Sequence, residues 1–226
     1  MINIYENSNR GIGSGNRAAD TPFTPRERFV TGVYASVDDA TARALDRLRR
    51  NHGLVPTCAV GCCHCCRHFI LTNPAEIHTL AQYVRREWPA EQIERLRMRT
   101  RRWHAWDNSR PGRDPSVRTE WLDDFTQYEH CCPLLVNRTC SVYPVRPVVC
   151  RTHFVSSPAA ACRASNDPQS AQDPPQVLTS LLTAARPFVT AMGDYIETAG
   201  MDFSRSIMLL PHGLAIEMGW DFAIHD

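Results

Sequence analysis

The sequence of 226 residues contains no lysine, and all 25 of its basic residues are arginine. A chain without lysine has neither a Schiff-base amine nor a phosphate-loop lysine, so mechanisms that need either group are excluded. Surface lysine and arginine are largely interchangeable away from bidentate or stacked sites, so codon bias alone explains this composition. The alternative interpretation is that the protein acts on lysine side chains and presents none itself.

Long apolar runs are also missing. No window holds 18 consecutive apolar residues, so we expect no transmembrane helix and no membrane partner. The first residues lack a basic segment followed by an apolar one, so we expect no secretory signal and a cytoplasmic location. The formal net charge of +1 provides no general field to steer nucleic acid.

One arginine-rich segment is the only feature that favours nucleic acid as a partner. Arginines interleaved with aromatic residues are typical of nucleic-acid-binding surfaces. We favour a solvated helix face whose arginine stems cover apolar surface, because the chain as a whole is not basic. The residues concerned are Arg95, Arg97, Arg99, Arg101, Arg102, Trp103 and Trp106.

All ten cysteines lie in two stretches of the chain. In a reducing compartment disulfides are rare, and clustered cysteines more often bind metal or react. A Cys-x2-Cys spacing, such as that of Cys62 and Cys65, lets a tight turn direct both sulfurs inward. Side chains of neighbouring residues diverge, so Cys65 and Cys66 serve different metals, or one of them has another role. The cysteines are Cys58, Cys62, Cys63, Cys65, Cys66, Cys131, Cys132, Cys140, Cys150 and Cys162.

Arginines and histidines accompany the cysteines. Five arginines could offset the charge of clustered thiolates, or they are ordinary surface residues: Arg67, Arg138, Arg146, Arg151 and Arg163. Arg146 could alternatively receive a carboxylate substrate. His64 and His153, each within three residues of a cysteine, are further candidate ligands, whose roles the sequence leaves open.

The joined cysteine pattern resembles the YkgJ-type cysteine cluster proteins, the CxxCxxCC family that is described as chelating zinc or iron. The resemblance covers roughly residues 58–162 and includes Cys132-Pro133, Cys140-Ser141-Val142-Tyr143, Arg146-Pro147 and Glu76. Cys63 and Cys131 lie outside the pattern, and the first gap has three residues rather than two. The resemblance implies eight metal ligands: Cys58, Cys62, Cys65, Cys66, Cys132, Cys140, Cys150 and Cys162.

Capping signals and apolar periodicity predict the helices. Thr24-Pro25-Arg26-Glu27 is a capping box that starts a helix ending at Gly53, and Asn73-Pro74 starts a second helix that ends at Trp88-Pro89. The remaining predicted helices are Pro89 to about Trp106, Val117–Tyr128, and a helix from Asp173-Pro174-Pro175 to about Thr198 that Pro187 kinks or splits. Both cysteine stretches are predicted to be mainly loop.

These elements predict a mainly α fold of about five helices around an irregular, cysteine-rich, loop-built metal centre. Residues 1–22 are expected to form a flexible tail, residues 23–163 the metal-binding domain, and residues 164–226 a C-terminal helical segment packed on it.

Three functions remain open. The first is a metal-binding protein that holds zinc or iron, with an iron–sulfur cluster as one form of the iron. The second is an iron- or iron–sulfur-dependent enzyme acting in redox or group-transfer chemistry on a peptide or small molecule. The third is a thiol–disulfide redox protein that uses its vicinal cysteines. Metal ions are the expected partners, and a protein or peptide partner fits the second and third functions.

Overall fold

The computed structural model describes residues 23–109, 131–166 and 170–222. Within these residues the chain is mainly helical, and its strands have only two residues each. The helices are α1 (Pro25–His52), α2 (Pro74–Glu87), α3 (Ala90–Ser109), α4 (Val148–Thr152), α5 (Ala159–Ala164), α6 (Ser180–Thr198), α7 (Phe203–Ser206) and α8 (Leu210–Met218). The strands are β1 (Leu71–Thr72), β2 (Leu135–Val136), β3 (Thr139–Cys140) and β4 (Met208–Leu209).

The prediction of a mainly α fold is confirmed, because five of the eight described helices have nine residues or more. The ends of the first two helices also agree with the local signals. Thr24 and Glu27 form the capping box, and Gly53 ends α1 in the left-handed conformation with φ 65°. Asn73 accepts hydrogen bonds from the amides of Ala75 and Glu76, which satisfies the first turn of α2.

The predicted start of α6 is wrong. The helix begins at Ser180 rather than at the Pro174-Pro175 pair, because the preceding residues are used in pairing with another segment. The Leu178 amide donates to the Phe154 carbonyl, and Val177 forms an antiparallel bridge with Val155. Pro187 lies inside α6, which continues to Thr198 without a break.

Smaller differences concern the loops. Helix α3 continues to Ser109, beyond its predicted end at Trp106. The cysteine stretches contain two short 3-10 helices, His64–Arg67 and Tyr143–Val145, in addition to α4 and α5. The predicted helix Val117–Tyr128 and the predicted tail, residues 1–22, lie outside the described residues.

Helix α1 lies at the centre of the core and packs against α2, α4 and α6. Its apolar stripe includes Val30 and Val37, both fully buried. The same apolar cluster contains Leu80 of α2, Ile196 of α6 and Leu214 of α8. Residues before and after the cysteine stretches therefore share one core, while the division at residues 163 and 164 remains a prediction.

The C-terminal elements return to the segment that follows the first cysteine stretch. Strand β4 pairs antiparallel with β1, and α8 packs against α2 and α3. Two polar pairs fix α8: His78 Nδ1 lies 2.9 Å from Glu217 Oε1, and His212 Nε2 lies 2.9 Å from the fully buried Asp107. Among the described helices, none has both the length and the apolar character needed to cross a membrane.

Gly213 permits the close approach of α8 and α2, which a pair of glycine substitutions can test. A Cβ on Gly213 would lie 2.8 Å from Cγ1 of Ile77, whereas a Cβ on Gly32 in α1 would meet no atom within 4 Å. We expect Gly213→Ala to destabilise the protein by ~1–3 kcal/mol through overpacking. Gly32→Ala, the matched control, should stabilise it by ~0.5–1 kcal/mol by reducing the freedom of the unfolded chain.

Urea denaturation of both variants and the wild type measures these changes. Equal stability of the Gly213→Ala variant and the wild type would contradict the close contact between the two helices.

Candidate functional site

A tight turn shapes the first cysteine stretch. The Cys62 amide donates to the Ala59 carbonyl, and Gly61 occupies the turn with φ 87°, a conformation that favours glycine. The turn lies between Cys58 and Cys62 and brings these two residues near each other despite their three-residue gap. The 3-10 helix that follows carries Cys65 and Cys66.

A short hairpin carries Cys140. Strands β2 and β3 pair in the register Leu135 to Cys140 and Val136 to Thr139, joined by Asn137 and Arg138. Both linking residues have positive φ, 49° and 62°, as a two-residue hairpin turn requires. The Arg138 side chain donates to the Gly61 carbonyl at 3.2 Å, which connects this hairpin to the first cysteine stretch.

Helix α4 carries Cys150 and is held by the carboxylate of Glu76 in α2. Glu76 is 5% exposed, and its Oε1 accepts a 2.7 Å hydrogen bond from the amide of Val148, the first residue of α4. Its Oε2 accepts from Thr72 and Asn73. The carboxylate therefore caps α4 from a different helix, and burial raises its pKa.

Main-chain contacts join the two cysteine stretches. The Cys132 amide donates to the Cys66 carbonyl at 2.7 Å, and the Thr57 amide donates to the Val155 carbonyl at 3.0 Å. Asn166, which follows α5, donates to the carbonyl oxygens of both His64 and Cys162. Backbone hydrogen bonds and the Asn166 side-chain amide thus hold the segments around Cys58, Cys66 and Cys162 together, and all ten cysteines carry free thiols.

Four of the thiols form a first group, defined as Cys58, Cys62, Cys65 and Cys162. Burial raises the pKa of Cys58, and the thiols of Cys62 and Cys65 raise it further. Burial also raises the pKa of Cys162, with added contributions from Cys62, Cys58 and Cys65. These mutual effects show that the thiols lie within electrostatic range of one another.

The other four form a second group, defined as Cys66, Cys132, Cys140 and Cys150. Burial raises the pKa of Cys132 to about 12, and the neighbouring Cys140 contributes. Burial raises the pKa of Cys150 as well, followed by the effects of Cys132 and Cys140. By these contributions Cys58, Cys62 and Cys162 act on one another, as do Cys66, Cys132, Cys140 and Cys150, whereas Cys65 contributes to both groups.

Cys65 and Cys66 connect the two groups. A hydrogen bond with Cys66 lowers the pKa of Cys65 to about 7 and raises that of Cys66. Cys65 also influences the pKa values of Cys140 and Cys150 in the second group. Of the two additional cysteines, Cys131 lies near Cys132, and Cys63 precedes the 3-10 helix.

Two of the five predicted arginines are buried, and in the first, Arg151, each guanidinium nitrogen has a hydrogen-bond acceptor. It is 4% exposed, and its Nη1 lies 2.5 Å from Asp38 Oδ2. Its Nε and Nη2 donate to the carbonyl oxygens of Arg146 and Pro144. The Arg151 guanidinium also lies over the Tyr34 ring at 4.1 Å.

Arg146, the second buried arginine, is 6% exposed and lies over the Tyr143 ring at 3.7 Å. Its Nε is buried and has no hydrogen-bond partner among the described residues. Its charge lowers the pKa of Cys65, after the stronger effect of the Cys66 hydrogen bond, and opposes the effect of burial on Cys140. Arg138 and Arg163 are exposed, and Arg67 is half-buried.

The candidate ligand His153 contacts His68, a histidine that the sequence analysis did not select. The His68 and His153 rings are 5.5 Å apart and nearly perpendicular. Burial, together with His153, lowers the pKa of His68 to about 4, so its imidazole is neutral at pH 7. A small cleft nearby is lined by His68, Phe69, Ile70, Trp103, Cys132 and Pro211.

Sequence reasoning missed Asp38 and Tyr34, which position Arg151 from α1. Both lie on the same side of α1, since residues four apart are neighbours on a helix surface. An aspartate beside the apolar stripe of a central helix was the available signal. Its partner could not be identified from the sequence, because Arg151 lies 113 positions away.

The donor set fits a soft metal ion. Buried thiols with raised pKa values are neutral by themselves, and a bound cation would deprotonate them. The buried Nε of Arg146 is an unused donor of the kind that can bond a thiolate. In residues 23–109, 131–166 and 170–222, no three His, Cys, Asp or Glu side chains form a group placed to hold a metal ion. Coordination therefore requires the thiols of each group to move closer together.

Comparison with known proteins finds no matching family model, no matching curated protein and no matching solved structure. The YkgJ-type resemblance therefore remains a prediction from the cysteine motif.

The different pKa values of Cys65 and Cys132 predict different reactivity in reduced protein treated with a chelator. Only the thiolate is nucleophilic, so the rate of Cys65 alkylation by iodoacetamide should rise with pH to half its maximum near pH 7. Cys132, with a pKa of about 12, should react slowly throughout the neutral range.

Peptide mapping by mass spectrometry after timed labelling measures both rates. Faster labelling of Cys132 than of Cys65 at pH 7 would contradict the assigned hydrogen bond between Cys65 and Cys66.

Proposed function

We propose that this protein is a metal-binding protein that holds zinc or iron in two neighbouring four-cysteine sites. The proposal is supported by the effects of these cysteines on one another's pKa values, which join residues from both cysteine stretches. Four thiolates are the ligand set of closed zinc sites and also of iron–sulfur clusters. The proposed ligands are those of the first and second groups defined above.

Anaerobic purification followed by elemental analysis and a visible spectrum identifies the metal. Colourless protein with about two zinc ions per chain supports two closed zinc sites. Brown protein that contains iron and acid-labile sulfide supports iron–sulfur clusters. Protein that binds neither metal under reducing conditions contradicts the proposal.

Single cysteine substitutions test the division into two groups. We expect Cys162→Ser and Cys140→Ser each to remove about one of two metal ions, because each damages one closed site. Cys65→Ser should weaken both sites, since Cys65 interacts with both groups. Cys63→Ser, the matched control within the same stretch, should retain the full metal content.

Metal content and native mass spectrometry of the four variants measure these outcomes. Loss of all metal in both the Cys162→Ser and the Cys140→Ser variant would indicate one multinuclear centre instead. Loss of metal in the Cys63→Ser variant would contradict the ligand assignment.

An iron- or iron–sulfur-dependent enzyme is the alternative function, and it needs a substrate pocket beside the metal. The cleft at Cys132, which Trp103 and His68 also line, holds about 10 Å³, room for roughly one water molecule, so a substrate would require this cleft to open. A thiol–disulfide function is favoured by the Cys65–Cys66 hydrogen bond, because a thiol with a pKa near ambient pH is an effective nucleophile. Metal-free protein that exchanges disulfides with glutathione supports the redox function.

A further inference from the structure

Arg146 is a buried cation that acts electrostatically on thiols of both cysteine groups. Its charge acts on Cys65 of the first group and on Cys140 of the second, and Cys150 in turn acts on Arg146. The guanidinium is 6% exposed and lies 3.7 Å above the Tyr143 ring, so water screens it little. This buried cation is therefore held against an aromatic ring, and its charge influences both groups.

The two buried arginines, Arg146 and Arg151, differ in the partners of their guanidinium groups. Arg151 forms an ion pair with Asp38 and donates to two carbonyl oxygens, so its charge and donors serve the polypeptide itself. Arg146 has a buried Nε with no partner among the described residues. A buried donor without a partner is costly, which favours a partner that forms only when thiolates are present.

Two filled metal sites would carry negative charge that a nearby buried cation can offset. A divalent ion with four thiolates has a net charge of −2, so two filled sites place two dianions side by side in a partly buried environment. Repulsion between them would weaken the binding of the second metal ion relative to that of the first, because like charges repel more strongly away from bulk water.

We propose that Arg146 is the cation that allows both cysteine groups to hold metal at the same time. This inference rests on the proposed metal-binding function. Arg146 would neutralise part of the charge between the filled sites and donate its Nε hydrogen to a thiolate at their junction. It is a positioning residue, since it acts through the thiolates and is not itself a ligand.

Stepwise metal binding to the full chain tests this role. Cobalt(II) is titrated into reduced, metal-free protein under anaerobic conditions, and the one-metal and two-metal species are resolved by native mass spectrometry. Arg146→Gln removes the charge and keeps a hydrogen-bond donor, whereas Arg146→Lys keeps the charge. Arg205→Gln is the matched control, because the Arg205 side chain is 88% exposed in the pair with Asp202.

We expect Arg146→Gln to weaken the second binding step by roughly 10–100-fold, as loss of a group that supports metal ligands does, with a much smaller effect on the first. Lowering the pH should weaken that second step more steeply in this variant than in the wild type, because protons compete with the metal for each thiolate. Arg146→Lys keeps the charge but loses the planar group that stacks on Tyr143, so it should weaken the second step less than Arg146→Gln does. Arg205→Gln should match the wild type.

The titration separates a failure of the proposed function from a failure of the role of Arg146. Wild-type protein that binds no cobalt contradicts the proposed function. Wild-type protein that binds two ions, together with an Arg146→Gln variant that binds both equally well, contradicts only the role of Arg146. If Arg146→Gln does not fold by circular dichroism, Arg146→Lys decides the question, because loss of its second metal ion would indicate a packing role and overturn the inference.

Discussion

The hydrogen bond from the Val148 amide to the buried carboxylate of Glu76 is the contact on which the arrangement of the site most depends. It fixes the first turn of α4 against α2 at 2.7 Å, and α4 carries both Cys150 and Arg151. Glu76 is held in turn by Thr72 and Asn73, which belong to the segment directly after the first cysteine stretch. One carboxylate therefore sets the distance between the two cysteine-bearing parts of the chain.

The second constraint is electrostatic. Burial raises the pKa values of several thiols, among them Cys132 and Cys150, so the free polypeptide holds them as neutral groups. Two buried arginines lie beside them, each stacked on a tyrosine ring. In the proposed metal sites, these neutral thiols would become negative only when a metal ion is bound.

The parts of the fold that depend on neighbouring residues could be predicted from the sequence. Thr24, Asn73 and Gly53 set the helix ends through contacts within three or four residues, so the local signals were sufficient. The start of α6 could not be predicted, because Val177 and Leu178 pair with a segment more than 20 positions earlier. There a long-range backbone contact overrides a proline pair that resembles a helix start.

The candidate site also has parts that the sequence predicts and parts that depend on long-range contacts. The eight candidate ligands follow from the resemblance of the cysteine pattern to the YkgJ-type proteins, and they remain a prediction. Their separation into two groups depends on which loop returns to which side of Cys65 and Cys66, and spacing does not encode that. Likewise, Arg146 and Arg151 look equivalent in the motif, and only the position of Asp38 distinguishes them.

The hairpin of β2 and β3 makes the spacing around Cys140 intolerant of insertions. Side chains alternate between the two faces of a strand, so one extra residue in the Asn137-Arg138 turn would shift the pairing and reverse the direction of the Cys140 thiol. Related sequences with the same site should therefore keep a constant length between Cys132 and Cys140.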